Sequence, residues 1–177
     1  MRKPTELKPQ DILVLLKLAV HPGEEWSYSG LASSLKISSS EAHAAIKRAT
    51  LAGLMNTRHH RPIRTALEEL LIHGVKYVFP AERGPLTRGL PTAHAAPPLA
   101  SEFISSGEPP PVWPDPEGPI RGETLIPLYR SVPQAARKDE RLYEALALVD
   151  AIRAGRARER KRAEELLRAM LGANDRG

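Results

Sequence analysis

The sequence predicts a mainly α-helical fold with a small β element, and three observations carry that expectation. Apolar residues recur with helical spacing through the first 55 residues. Two amphipathic segments follow residue 139. Between them lie clustered members of the chain's 17 prolines, which leave room for little regular structure. A length of 177 residues fits one or two small domains. Hydrophobic content of 41% supports a packed core, although aromatics are few at 5%.

The absence of cysteine excludes a disulfide framework, a thiol nucleophile and a cysteine zinc site, and fits a reducing compartment. The start, MRKPTELKPQD, lacks an apolar signal core, and no apolar run approaches ~18 residues. The expectation is a cytoplasmic protein without a membrane segment, bacterial by its richness in Arg, Ala and Pro. Charge is uneven. Residues 1–88 hold 13 Lys/Arg against 8 Asp/Glu, net +5; residues 89–152 hold 5 against 9, net −4; residues 153–177 hold 8 against 4, net +4. A basic first half suggests a polyanion-facing domain joined to something else.

Residues 8–20, KPQDILVLLKLAV, are dense enough in apolar positions (Ile12, Leu13, Leu15, Leu16, Leu18, Ala19) for a buried helix that HPGEE then stops. A short helix follows over Tyr28 to Leu35, with Ser27 as N-cap. After a tight break at 36–38, a third helix runs from about Ser39 to Ala52. Ser38 and Glu41 form the S-x-x-E capping box that starts it. Ala42, Ala45, Ile46 and Ala49 make its buried stripe, and Gly53 ends it. The opposite face carries Ser40, His43, Ala44, Lys47 and Arg48. That face is polar, slim and cationic, as insertion into a DNA major groove requires.

The stretch SYSGLASSLKISSSEAHAAIKRATLAGLM, residues 27–55, resembles the helix-turn-helix of winged-helix regulators of the MarR type. Their general pattern is Thr/Ser-x-x-x-Leu-Ala-x-x-Leu-x-Ile/Leu-Ser-x-Ser-x-Val, then a helix ending Lys-Arg-Leu-x-x-Ala-Gly-Leu-Val. Ser27, Leu31, Ala32, Leu35, Ile37, Ser38, Ser40, Ile46, Lys47, Arg48, Ala52, Gly53 and Leu54 match without a gap. Ala42 and Ala49 stand where Val and Leu are usual, and Met55 where the pattern ends in Val. The resemblance implies a winged helix-turn-helix domain over residues 1–90. The family usually enters its β-wing straight after Ala-Gly-Leu; here an intervening helix is expected over Thr65 to His73, capped by Gly74. VKYVF at 75–79 then reads as a strand, and 80–89 as a displaced wing tip bearing Arg83 and Arg88.

Residues 91–122 form a proline-rich linker or strap, in which Val112 and Trp113 hint at packing. Recognition of its prolines by a partner is a lesser alternative. Residues 123–177 hold two helices, 139–155 and 156–171, with Asp139 as N-cap and Gly155 as C-cap of the first. Their apolar faces, Leu142, Leu146, Val149 and Ile152, then Leu166, Leu167 and Met170, are expected to form a dimer or partner interface. The basic stretch from Arg153 to Arg162 could instead touch phosphates.

His59 and His60 raise a metal hypothesis, but adjacent histidines on an extended segment point opposite ways and no carboxylate sits at useful spacing. His21, His73 and His94 read as structural or surface residues. Gly-rich phosphate loops, H-E-x-x-H and G-x-S-x-G are missing, and carboxylate pairs are adjacent rather than facing, so neither an enzyme nor a cofactor or metal is expected. The reading is a dimeric repressor on double-stranded DNA. Ser39, Ser40, His43, Ala44 and Lys47 lie nearest base edges, at a helix started by Ser38. Lys36, Arg48, Arg58, Arg61, Arg64, Arg83 and Arg88 take phosphates. The alternative is an antitoxin-type or adaptor protein that holds a partner through the strap and C-terminal helices.

Overall fold

The computed structural model describes residues 6–104 and 106–172, and is mainly helical with small β elements. Helix α1 (Pro9–Val20) buries Ile12 to Leu16 completely, because it packs against helices from both ends of the chain. The Asp11 carboxylate caps it by accepting from the Lys8 N–H at 2.9 Å. Helix α2 (Tyr28–Leu35) starts where Ser27 Oγ accepts from the Gly30 N–H, and ends at Lys36 in the left-handed conformation, φ 56°. Residues 36–38 turn the chain into α3 (Ser39–Leu51). Its capping box is formed: Glu41 N–H donates to Ser38 Oγ at 3.1 Å, and Ser38 N–H to Glu41 Oε2 at 2.8 Å. Ala42, Ala45, Ile46 and Ala49 are buried, so the alanine stripe sets α3 close against α1 and α2.

The chain departs from the sequence reading after Gly53. Strands β1 (Met55–Asn56) and β2 (Arg61–Pro62) form an antiparallel hairpin directly behind α3, with Met55 opposite Pro62. Asn56 Oδ1 accepts from the Arg58 and His59 N–H groups and shapes the turn. Helix α4 (Arg64–Glu69) then passes through a π-turn at Leu70–Gly74 into α5 (Val75–Val78). The segment expected as a strand at 75–79 is therefore helical over Val75–Val78. Leu67, Leu71 and Val75 are fully buried at a spacing of four, so helical periodicity runs straight through Gly74. Burial of Val75, on an α5 that packs against the C-terminal half, overrides the β preference of VKYVF.

Residues 80–89 are not a wing tip. Strand β3 (Arg83–Pro91) pairs antiparallel with both β4 (Pro111–Pro114) and β5 (Ile120–Leu125), and β4 runs parallel to β5. The three strands close on one another. A Cβ on Gly89 would meet the Trp113 carbonyl oxygen at 2.1 Å, and one on Gly122 the Pro110 carbonyl oxygen at 2.0 Å. The proline-rich segment thus supplies a strand, with Val112 and Trp113 buried.

Helix α6 (Val132–Ala136) precedes α7 (Glu140–Ala154) and α8 (Ala157–Gly172). Asp139 caps α7, accepting from the Leu142 N–H at 3.0 Å. The residues expected to line a dimer interface lie elsewhere than on a surface. Leu142, Leu146, Val149, Ile152 and Leu167 are buried in the chain's own core, and Leu166 and Met170 pack half-buried against it. Helix α7 is enclosed because α1, α5, α6 and α8 all pack on it. One apolar cluster runs from Ile12 to Leu171, so the boundaries drawn at 90 and 122 do not separate cores. Among the described residues no helix is long and apolar enough to cross a membrane.

This core also holds a polar network. The Asp150 carboxyl, 1% exposed on α7, accepts from Thr92 Oγ1 at 2.8 Å, Trp113 Nε1 at 2.6 Å and Arg153 Nη1 at 2.8 Å. Arg153 in turn donates to the Phe79 and Pro80 carbonyls. Burial pushes the Asp150 carboxyl up, and Arg153, Thr92 and Trp113 pull against it. Asp150→Asn turns one acceptor into a donor facing these donors, with an expected loss of about 3–5 kcal/mol in urea unfolding.

Candidate nucleic-acid interface

The outward face of α3 is built by what its inward face buries. With Ala42, Ala45, Ile46 and Ala49 facing in, Ser39, Ser40, His43 and Lys47 are exposed and Ala44 is half-buried. Leu51, four residues beyond Lys47, is 59% exposed on the same side. Two aromatic residues that the sequence reading passed over join this face to the hairpin. The Tyr28 ring lies 5.0 Å from that of His43, and the Trp26 ring packs edge-on to Tyr28 at 5.3 Å. Trp26 Nε1 donates to the His60 carbonyl oxygen at 3.0 Å. A row of rings thus ties the hairpin turn to α3. Its signal in the sequence was the Trp-Ser-Tyr around the Ser27 cap.

The hairpin turn presents Arg58, His59 and His60 to solvent, with His60 at φ 50°. Arg61 in β2 and Arg64 at the start of α4 are partly buried. Among the described residues no group of three or more His, Asp or Glu side chains is placed to hold a metal ion.

Arg48 is not on the outward face. Its Nε and Nη2 donate to the two oxygens of Asp11 at 2.8 and 2.6 Å, and the Asp11 side chain is fully buried. A bidentate pair of this kind fixes α3 to α1 and takes the guanidinium away from any phosphate. The hint lay in Asp11, the one acidic residue in an apolar helix, and in Arg48 standing three residues past Ala45. Arg83 and Arg88 are also spent away from α3. Arg83 binds Glu123 at 3.0 Å and the Ala154 carbonyl at 3.0 Å; Arg88 binds the Gly118 carbonyl at 3.1 Å. Both are committed to the β3–β5 region because that sheet is packed beside α7 and its C-terminal turn rather than beside α3. In the basic stretch from Arg153 onward, the Arg153 side chain is nearly covered beside Asp150, Arg156 pairs with Glu108, and Arg162 with Glu102 and Glu165.

Glu41 is consumed at the start of α3, as its place in the capping box predicts. The Ser38 backbone N–H and the Tyr129 hydroxyl, which donates to Oε1 at 2.5 Å, hold its carboxyl down at about 2 against an ordinary value of 4.5. Asp139 plays the same part on α7. Burial pushes its carboxyl up, but Lys17 at 2.5 Å, the Leu142 N–H and His21 at 2.7 Å outweigh this and leave it depressed. That contact joins the end of α1 to the start of α7.

Comparison of the chain with protein-family models, with curated proteins and with solved structures finds no match.

Two measurements check this geometry. Arg48→Ala should cost about 3 kcal/mol in urea unfolding, whereas Lys47→Ala on the solvent side should stay within about 0.5 kcal/mol. The Glu41 carboxyl carbon should titrate near pH 2 by NMR. A depressed folded-state pKa stabilises above the unfolded value, so the stability advantage of wild type over Glu41→Gln should be present above pH 4.5 and disappear as pH falls through about 2.

Proposed function

We propose that the protein is a DNA-binding transcriptional regulator of the winged helix-turn-helix kind, with α2 and α3 as the helix-turn-helix, α3 as recognition helix and β1–β2 as a short wing. One observation carries this reading: the slim, exposed face of α3 and the cationic hairpin turn lie on either side of one aromatic row, Trp26–Tyr28–His43. The residue pattern over 27–55 supports it, since its alternation of apolar and small polar positions resembles the MarR type. In this reading Ser39, Ser40, His43, Ala44 and Lys47 approach base edges, and Leu51 offers an apolar contact to a thymine methyl. Arg58, His59 and Arg61 follow the flanking phosphates or minor groove. Arg48 holds the helix in place from behind.

The protein acts in the cytoplasm, on double-stranded DNA, most simply as a repressor. A palindromic site would need a second copy held by a surface other than Leu142, Leu146, Val149 and Ile152, which the core occupies. The adaptor alternative rests on the strap and the C-terminal helices; Trp113, Leu142, Leu146, Val149 and Ile152 serve the chain's own core.

The test is fluorescence anisotropy with a duplex from the gene's own upstream region against a random duplex, at two salt concentrations. Tighter binding of the upstream duplex, weakening with salt, is the expected result. Equal weak binding of both would overturn sequence-specific regulation. Lys47→Ala should weaken the upstream duplex more than the random one; unchanged affinity for both would overturn the assigned orientation of α3.

A further inference from the structure

The N-terminal end of α3 is not left bare by the rest of the chain. The segment between β5 and α7 comes back across it. Tyr129 donates to Glu41, and the Arg130 guanidinium lies 3.7 Å from Glu41 Oε1 and 5.2 Å from the Tyr129 ring centre. Helix α6 packs against α2. The packing of α6 on α2 brings Lys138, just past α6, near Lys36, just past α2, so that the two ammonium groups repel each other. Both lysines and Arg130 are exposed.

This pairing of like charges needs an explanation. Two ammonium groups have only donors to offer each other, and their repulsion costs free energy. Contact with Lys138 accordingly holds the Lys36 ammonium below its ordinary pKa. Other cations nearby have acidic partners. Arg137, next to Lys138, pairs with Asp115 at 2.7 Å and Glu117 at 2.8 Å, and Lys17 pairs with Asp139. Among the described residues no carboxylate pairs with Lys36 or Lys138, although Asp139 and Glu140 follow at once in the chain. Asp139 is committed to α1 and to the cap of α7. Glu41, the nearest acid to Arg130, already accepts from the Ser38 N–H and from Tyr129. A phosphate oxygen between the two ammonium groups would convert repulsion into two charge-assisted hydrogen bonds, with Arg130 adding a third positive charge at the start of α3.

We propose that Lys138 and Arg130, from the C-terminal half of the chain, complete with Lys36 a phosphate clamp for the DNA backbone at the N-terminal end of α3. This rests on the reading of α3 as a recognition helix and extends it. The clamp lies at the start of α3, and the hairpin follows the end of α3 in the chain. Neither Lys138 nor Arg130 belongs to the helix-turn-helix itself; the packing of α6 and the Tyr129–Glu41 bond deliver them.

The experiment uses the full chain with the upstream and random duplexes across a salt series, for wild type, Lys138→Ala, Arg130→Ala and Arg158→Ala. Arg158 is exposed on α8, beyond the far end of α7 from Lys138, and removes the same unit of charge. Lys138→Ala and Arg130→Ala should each weaken both duplexes several-fold and to the same degree, and make the slope of log K against log salt shallower by roughly 1. Arg158→Ala should change neither. Lys138→Ala should also keep or raise Tm, because it removes a repulsion. If wild type binds neither duplex, the DNA-binding reading fails and the clamp with it. If wild type binds but the Lys138 and Arg130 variants bind as tightly with the same slope, the clamp alone is overturned. An equal loss from Arg158→Ala, or a fall in Tm that accounts for the weaker binding of Lys138→Ala, overturns it too.

Discussion

Asp150 holds together segments that nothing in the local sequence would bring together. It sits on α7, a helix buried on nearly all sides, and a lone carboxyl there would be intolerable without partners. Its partners come from the end of β3, from β4 and, through Arg153, from the backbone just past α5. Each of those segments is irregular or short and has little stability of its own. Satisfying one buried acid therefore fixes where the three-strand sheet and the helix before it dock. Apolar packing of α1, α5 and α8 on α7 supplies most of the stabilisation, but it is less directional than this network.

The same device recurs at smaller scale. Asp11 with Arg48 joins α1 to α3; Asp139 with Lys17 and His21 joins α1 to α7; Glu41 with Tyr129 joins α3 to the chain before α6. In each case a carboxylate near a helix start does two jobs. It accepts from backbone N–H groups of its own helix or cap, and it accepts from a side chain on another element. The caps are thus also the joints. The outward face of α3 inherits its rigidity from them, since a helix held by its cap, its alanine stripe and Arg48 has little freedom to rotate.

Charge sorts itself by the same rule. Most arginines outside the α2–α3 region find a carboxylate or a carbonyl: Arg83, Arg88, Arg137, Arg153, Arg156 and Arg162 all do. The cations left facing solvent around α3, namely Lys36, Lys47, Arg58, Arg130 and Lys138, are drawn from both halves of the chain. The acidic residues of the middle segment are spent on cations from every part of the chain: Asp139 on Lys17, Glu123 on Arg83, Asp115 and Glu117 on Arg137, Glu108 on Arg156 and Glu102 on Arg162.

What the sequence determined by itself is what depends on neighbours within one or two turns. The start and stop of α1, α2, α3, α7 and α8, the Ser38–Glu41 box, the alanine stripe and the outward face of α3 apart from Arg48 are fixed by spacing, capping and small-residue choice, and were legible; Arg48 turned inward because Asp11 of α1 binds it. Tertiary structure decided the rest. VKYVF became helical because Val75 continues the buried row of Leu67 and Leu71. Arg83 and Arg88 entered a strand because β4 and β5 closed on it. Leu142, Leu146, Val149 and Ile152 form a core rather than an interface because α1 and α8 reach them first. An apolar stripe states only that something covers it; which element does so depends on how every other stripe is satisfied, and that is settled at distances in sequence that no local pattern encodes.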